Sequence, residues 1–271
     1  MPDTASTVTS QTRNVLMFGC GNMGQALLSG WSRTDKTSFT VIDPAKPDLG
    51  DMATVKETAE GLEDTEFDIA IIAVKPQLIP VVMEASGELI RSAGMILSIA
   101  AGVSVSTLEK QIGEKAIVRM MPNMPASVGA GLSGLYANHK VEDEQKALIS
   151  TLAAQNGELI WLDEEDKIDR FTAVAGSGPG YVFEFLRLFT LAALAQGFTE
   201  DEARKLAVGT VRGTAEMALQ NPQTLENLRN SVTSKNGTTQ AGLEQFMRDG
   251  TLETLLQDTV TAAYNRAVEL R

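Results

Sequence analysis

Short apolar runs alternate with longer stretches of mixed pattern from residue 15 to residue 162. Residues 15–18, 39–42, 69–74, 95–99 and 116–121 are almost unbroken apolar runs, as expected of strands covered on both faces of a parallel sheet. Residues 132–136 and 158–162 read as two further strands. Between them the spacing predicts helices near 25–31, 77–91 and 142–155, and a short one ending near Ile112 that Ser104 or Ser106 can cap. Residues 51–68 read as a short helix followed by an acidic connection. Such alternation predicts a doubly wound α/β sheet, in which ligands bind beyond the carboxyl ends of the strands.

The pattern changes after Asp163-Glu-Glu-Asp166, read as an acidic hinge. Beyond it there is no strand pattern, and helices are predicted at 167–175, 179–196, 200–219, 223–230, 239–248 and 251–270. The second of these is apolar nearly all round, with Val182, Phe183, Phe185, Leu186, Leu188, Phe189 and Leu191. A helix with so little polar face is buried on all sides. Either a partner subunit supplies part of the cover, or this is the central helix of a monomeric bundle. The expected organisation is a disordered tail over 1–12, an α/β domain over 13–163 and an all-helical domain over 164–271.

Composition narrows the chemistry. A formal charge of −12 and no cluster of Lys or Arg argue against nucleic acid and against anionic membranes as partners. An anionic ligand must be held by local N–H groups and helix ends. One cysteine, Cys20, precludes an internal disulfide, and a single histidine, His139, gives poor support to a His/Cys metal site or a Ser-His-Asp triad. No metal site is expected. His139 reads as a surface residue and Cys20 as the lining of a turn. No secretory signal or membrane-spanning run is read from the sequence, so the expected location is the cytoplasm.

Two stretches carry candidate chemistry. The first run leads into Gly19-Cys-Gly-Asn-Met-Gly24, a Gly-x-Gly-x-x-Gly turn between a strand and a helix. In that context Gly19 permits the turn, Gly21 lets the backbone approach a pyrophosphate, and Gly24 lets the helix pack close to the strand. Asp43 ends the second strand. An acid there accepts bonds from the adenine ribose hydroxyls, or it is a turn residue ahead of Pro44; Lys46 could instead meet a 2′-phosphate. The second stretch is Ser231-Val-Thr-Ser-Lys-Asn-Gly-Thr-Thr239. Its N–H groups at 237–239 would form an anion nest at a helix start near Thr239; alone, it reads equally as a capped interhelical loop.

Taken together and in order, several motifs resemble the pyrroline-5-carboxylate reductase family. They are Phe18-Gly-Cys-Gly-Asn-Met-Gly24, Ala73-Val-Lys-Pro-Gln77, Ser98-Ile-Ala-Ala-Gly102, Val118-Arg-Met-Met-Pro-Asn-Met-Pro125, Gly176-Ser-Gly-Pro179 and Val232-Thr-Ser-Lys-Asn-Gly-Thr-Thr239. The resemblance runs from Val15 to Leu270. It implies a Rossmann-like N-terminal domain, a helical C-terminal dimerisation domain, and a homodimer or higher homo-oligomer. It also implies reduction of 1-pyrroline-5-carboxylate to L-proline, the last step of proline biosynthesis, with NADP or NAD as the cofactor. By the same resemblance Gly19, Cys20, Gly21, Asn22, Met23 and Gly24 cradle the pyrophosphate. Ala73, Val74, Lys75, Pro76, Ala101 and Gly102 line the cofactor, with Asn123 close by. Gly237, Thr238 and Thr239 take the substrate, and Thr239 is the expected donor to the ring nitrogen.

Two departures from the family pattern stand out. Lys235-Asn236 replaces the usual Pro-Gly, although Asn tolerates left-handed φ. Gly180 stands where Ala is usual. Arg119 is read as a structural ion-pair residue and Glu165 as acidic hinge surface. A β-hydroxyacid dehydrogenase or imine reductase is a competing reading, but residues 171–197 contain no lysine of the kind the former class places on its interdomain helix. A non-enzymatic cofactor-binding protein is the other; it would have no need of the Thr-Thr loop.

Overall fold

The computed structural model describes residues 12–271, so the expected tail over 1–12 lies outside them except for its last residue. The chain forms two compact units: residues up to Gly176 together with Tyr264–Arg271, and Ser177–Ala263.

The first unit holds β1 (Arg13–Phe18), α1 (Asn22–Trp31), β2 (Thr37–Ile42), β3 (Thr54–Lys56), β4 (Ile69–Ile72), α2 (Ile79–Ser92), β5 (Met95–Ser98), α3 (Val105–Ile112), β6 (Ile117–Met121), β7 (Gly131–Ala137), α4 (Asp143–Ala154), β8 (Gly157–Trp161) and α5 (Asp166–Phe171). The strands make one sheet in the order β3-β2-β1-β4-β5-β6-β7-β8. Neighbours from β3 to β6 are parallel, with β1 pairing Val15 to Phe39 and to Ile69. The strand order reverses at β1, which places the crevice at its carboxyl end.

Alternation along β1 divides the core. Val15 and Met17 face Leu27, Leu28, Trp31, Ile149 and Leu152, which lie on α1 and α4. Leu16 and Phe18 face Ile79, Ile90 and Leu108, on α2 and α3. All four β1 residues are buried. That is the two-faced burial which the unbroken apolar runs imply, each large side chain contributing about 1.5–3 kcal/mol. Ser104, one of the two expected caps, accepts from the Thr107 N–H at 3.1 Å and caps α3.

Two expectations change. The helix expected within 51–68 is a short 3-10 turn, Gly50–Met52, followed by β3, whose Val55 pairs with Val41. Three residues suffice to extend the sheet edge, and the polar remainder has no apolar stripe to support a helix. The alternating pattern also hides a reversal, because β7 runs antiparallel to β6, with Met120 opposite Leu135. Residues 122–130 are too few for a parallel crossover, which takes about a dozen or more.

The second unit contains α6 (Gly178–Ala195), α7 (Glu200–Gln220), α8 (Leu225–Ser231), α9 (Thr238–Phe246) and the first part of α10 (Thr251–Glu269). Thr199 opens α7 with a capping box shared with Glu202. The end of α10 returns to the sheet unit, where the Tyr264 hydroxyl donates to Asp166 at 3.3 Å and Arg271 pairs with the buried Asp169.

Candidate functional site

The glycine turn assembles from the sheet outward. The Gly19 N–H donates to the Ile42 carbonyl at 2.9 Å, tying the end of β1 to β2. Gly19 has φ +82°, and a Cβ there would lie 2.7 Å from Val74 Cγ1 and 3.1 Å from the Ala73 carbonyl oxygen. A side chain is thus refused twice, by conformation and by space. A Cβ on Gly24 would lie 2.8 Å from Met17 Cε, so its absence brings α1 down onto β1. A Cβ on Gly21 would meet nothing within 4 Å. The three glycines therefore divide into a turn, an open approach and a close packing contact. That is the division the spacing predicts, and it fits a dinucleotide whose pyrophosphate comes in at Gly21.

Gly21 caps α1 in extended conformation without a side-chain bond, and the first turn of α1 contains no acid. The first intrahelical bond runs from the Gln25 N–H to the Gly21 carbonyl at 2.9 Å. The N–H groups of Asn22, Met23 and Gly24 are thus left over at the positive end of the helix dipole.

Asp43 is tied to this turn. Its Oδ2 accepts from the Cys20 N–H at 2.7 Å and its Oδ1 from the Ala45 N–H at 2.9 Å. It is a turn residue, and it also clamps the glycine loop. The Cys20 N–H is consequently spent within the protein and is not offered to a phosphate. Cys20 itself is buried, and burial, reinforced by the negative charge of Asp43, pushes its thiol up to about 11. It lines the turn as a neutral group.

A cleft of about 1400 Å³ opens here. It brings together Gly19, Cys20, Gly21, Asp43, Ala73, Val74 and Lys75, and adds Glu57, Thr58 and Glu63, which the sequence did not mark out. Lys75 is exposed and lies just after β4, where Pro76 begins a 3-10 turn. Asn22, Met23, Gly24 and Pro76 adjoin the cleft in sequence without lining it.

Ala101, Gly102 and Asn123, expected at the cofactor, are not among the cleft's lining residues. Gly102, at φ +73°, has no room for a Cβ because the Leu270 carbonyl oxygen lies against it. Ala101 precedes it in the same turn. Asn123 is buried with its amide fully engaged: Nδ2 donates to the Ala175 carbonyl at 3.1 Å, and Oδ1 accepts from the Leu132 N–H at 2.9 Å. The engagement of Asn123 with backbone 52 residues away carries no signal in a single sequence.

Glu165 also departs from expectation. It turns inward, where Oε1 accepts from Arg119 Nη1 and from the Val105 N–H, both at 2.7 Å. Arg119 is buried and forms the structural ion pair expected of it. His139 is exposed. Among the described residues no cluster of His, Cys, Asp or Glu could hold a metal ion.

The loop over 231–239 lies in the helical unit. Gly237 caps α9 in extended conformation, again without a side-chain bond and with no acid in the first turn. Its N–H donates to the Ser234 carbonyl at 3.0 Å, so the expected nest shifts by one residue. The leftover donors are the N–H groups of 238, 239 and 240. Asn236 holds φ +59°, and its N–H donates to Gln240 Oε1 at 2.8 Å. Gln240 thus braces the turn, a role that its position four residues after Asn236 hints at. Thr238 and Thr239 are exposed.

Residues 165–270 match the family model described as pyrroline-5-carboxylate reductase dimerisation, and residues 14–102 match that of NADP oxidoreductase, coenzyme F420-dependent. The chain is 35% identical to the pyrroline-5-carboxylate reductase of Pseudomonas aeruginosa, over 96% of its own length and 97% of that protein's. It belongs to the pyrroline-5-carboxylate reductase family. The reductase from Coxiella burnetii superposes with a TM-score of 0.85 at 33% identity, covering 96% of this chain and 99% of that one. The family's enzyme from Plasmodium falciparum, solved with NADP bound, gives 0.84 at 25% identity, covering 96% and 98%. Both domains of the family are therefore present here, the sheet with its glycine turn and the helical unit with its Thr-Thr loop.

Proposed function

We propose that this chain reduces 1-pyrroline-5-carboxylate to L-proline with NAD(P)H, the last step of proline biosynthesis, and that Thr239 is its principal hydrogen-bond donor to the ring nitrogen. The observation that carries the reading is the occurrence, on one chain of this family, of two helix starts with free N–H groups, at Gly21 and at Gly237. The N–H groups of Asn22 and Met23 hold the pyrophosphate, and Val74 and Lys75 line the cofactor beside them. The bound dinucleotide supplies the hydride that goes to the imine carbon. The protein's part is to hold the imine in place and to stabilise the nitrogen as it gains electron density. The N–H groups of Thr238 and Thr239 fix the substrate carboxylate at the helix dipole. A substrate arriving as the iminium already carries the proton that balances the reaction, and the Thr239 hydroxyl donates to the lone pair that its ring nitrogen gains only as hydride arrives. Orientation of this kind supplies roughly 7–11 kcal/mol in well-ordered systems.

The chain assembles with a second copy of itself. No residue of α6 is buried within the protomer, and Val182, Phe183, Leu188 and Leu191 are all exposed. An apolar face of that extent is the mark of an interface, here one of a homodimer or larger homo-oligomer. The enzyme acts in the cytoplasm on a small molecule and has no nucleic-acid partner, in keeping with its charge of −12. Among the described residues no helix is long and apolar enough to cross a membrane.

The test is oxidation of NADH or NADPH by purified protein on addition of pyrroline-5-carboxylate, followed by absorbance. Activity with either cofactor supports the reading, and none with both overturns it. Thr239→Ala is expected to lower kcat about tenfold, the worth of one hydrogen bond made only as the reaction proceeds. Unchanged turnover would remove Thr239 from its role.

A further inference from the structure

NADH and NADPH differ only by a phosphate on the adenine ribose, a group carrying close to two negative charges at neutral pH. In a sheet of this order the ribose lies at the end of the second strand. Here that place belongs to Asp43. Its carboxylate is fixed by the bonds from the Cys20 and Ala45 N–H groups, and each oxygen keeps acceptor capacity for a ribose hydroxyl. The charge cannot swing away to admit a phosphate without releasing the glycine turn. Glu57, Glu60 and Glu63 line the same cleft.

The cations are committed elsewhere. Lys46 Nζ lies 2.5 Å from Glu57 Oε2, and Lys56 Nζ donates to the Glu60 carbonyl at 3.0 Å. Lys75 follows β4, on the other side of β1 from Asp43. Arg91, which the cleft also reaches, donates to the Gln111 carbonyl. From 43 to 68 the chain has nine acids, two lysines and no arginine. A phosphate is met elsewhere by bidentate arginine or by free lysine. Neither waits here.

We propose, on the assignment of the cofactor cleft made above, that this chain takes NADH in preference to NADPH. Asp43 is the specificity-determining residue and Glu57 a positioning residue that withdraws Lys46. The Plasmodium falciparum relative was solved with NADP bound, so the expected preference is a property of this chain's own residues and not of the shared fold.

Calorimetric titration of the full-length protein with 5′-AMP and with 2′,5′-ADP, which differ only by the 2′-phosphate, tests this without substrate. AMP is expected to bind at least about tenfold tighter, with a ratio that narrows as salt is raised. Glu57→Gln, which frees Lys46 and leaves Asp43 in place, should raise affinity for 2′,5′-ADP about two- to fivefold more than for AMP. Asp43→Asn should narrow the ratio further, whatever it does to absolute affinity. Equal or tighter binding of 2′,5′-ADP by the unaltered protein overturns the proposal, as does a ratio that neither variant moves. A protein that selects AMP yet leaves pyrroline-5-carboxylate unreduced upholds the preference and sinks the assigned reaction. One that reduces it chiefly with NADPH does the reverse.

Discussion

The two glycine-led helix starts of this chain are built to nearly the same local plan and supported in opposite ways. Gly21 has φ −69° and ψ −168°, Gly237 φ −85° and ψ 170°, and neither helix has a side-chain cap or an early acid. Both offer bare N–H groups to an anion. The turn before Gly21 is held by the sheet: by Ile42, Asp43 and Val74, up to 55 residues away in sequence and all set by strand pairing. The turn before Gly237 is held by its own neighbours. Gly237 bonds Ser234, Asn236 bonds Gln240, and the Thr233 hydroxyl donates to the Arg229 carbonyl at 2.7 Å. The first turn is therefore ordered by global folding. The second keeps its shape through a few exposed local bonds, each worth about 0.5–1.5 kcal/mol. Fixed geometry suits a cofactor needed by every turnover, and a locally braced loop suits a substrate that must enter and leave.

The largest effects should come from placing the same methyl in both turns. Gly19→Ala forces a side chain into left-handed φ and against the Ala73 backbone, which cannot retreat. A cost of about 1–3 kcal/mol is expected. It should be read as a lower denaturation midpoint and as NADH affinity weakened by roughly 5- to 150-fold, since 1.4 kcal/mol is tenfold. Gly237→Ala has no room either, but the atom in the way is chiefly the Ser234 hydroxyl. Its loss of kcat/KM for pyrroline-5-carboxylate should be recovered largely by adding Ser234→Ala, with NADH affinity unmoved throughout. If Gly19→Ala is as harmless as the repaired pair, the sheet does not fix the first turn.

Next in size is the alkaline limb of stability. The Cys20 thiol is held at about 11 against an ordinary value near 9, because burial and Asp43 disfavour the thiolate. Below about pH 9 both folded and unfolded chains keep the proton, and the contribution is fully present. Between 9 and 11 only the unfolded chain releases it, so stability falls as pH rises, by at most about 2–3 kcal/mol. Cys20→Ala should flatten that limb in denaturant titrations. Native protein should also resist thiol reagents at pH 8 until it unfolds. Rapid labelling of the folded chain would show the first turn to be as open as the second.

What the sequence showed and what it hid follow the same division. The roles of Gly19, Gly21 and Gly24 were legible because strand, turn and helix lie within one window, and the structure gives each glycine its expected surroundings. Asp43 was legible only as a choice between two roles, since nothing local says that its carboxylate will meet the Cys20 N–H, 23 residues back. Glu165 was misplaced, and the bonds that hold Asn123 were not legible, for the same reason: their partners, Arg119 and Ala175, are 46 and 52 residues away. The helix expected in 51–68 failed because three residues of β3 are too short a run to show a period of two. In the second turn the helix start was read to within one residue, and the shift of the nest came from a single bond, Gly237 to Ser234.

Smaller effects test the local bracing itself. Gln240→Ala removes the acceptor of the Asn236 N–H and should cost about 1 kcal/mol, seen mainly as a raised KM for pyrroline-5-carboxylate with kcat nearly kept. Smallest of all should be Asn236→Gly. Asn236 holds φ +59°, and its side chain makes no hydrogen bond among the described residues. Glycine would relieve the left-handed conformation and, in return, give the unfolded chain more freedom to lose. Both terms are on the order of 0.5–1 kcal/mol and opposite in sign, so the denaturation midpoint should barely move, and KM should stay within about twofold. The turn needs that backbone conformation and the Gln240 brace, not the amide of Asn236. A tenfold change in KM would mean that the amide itself meets the substrate, and the second turn would then be part of the binding surface at three residues, Asn236, Thr238 and Thr239, rather than two.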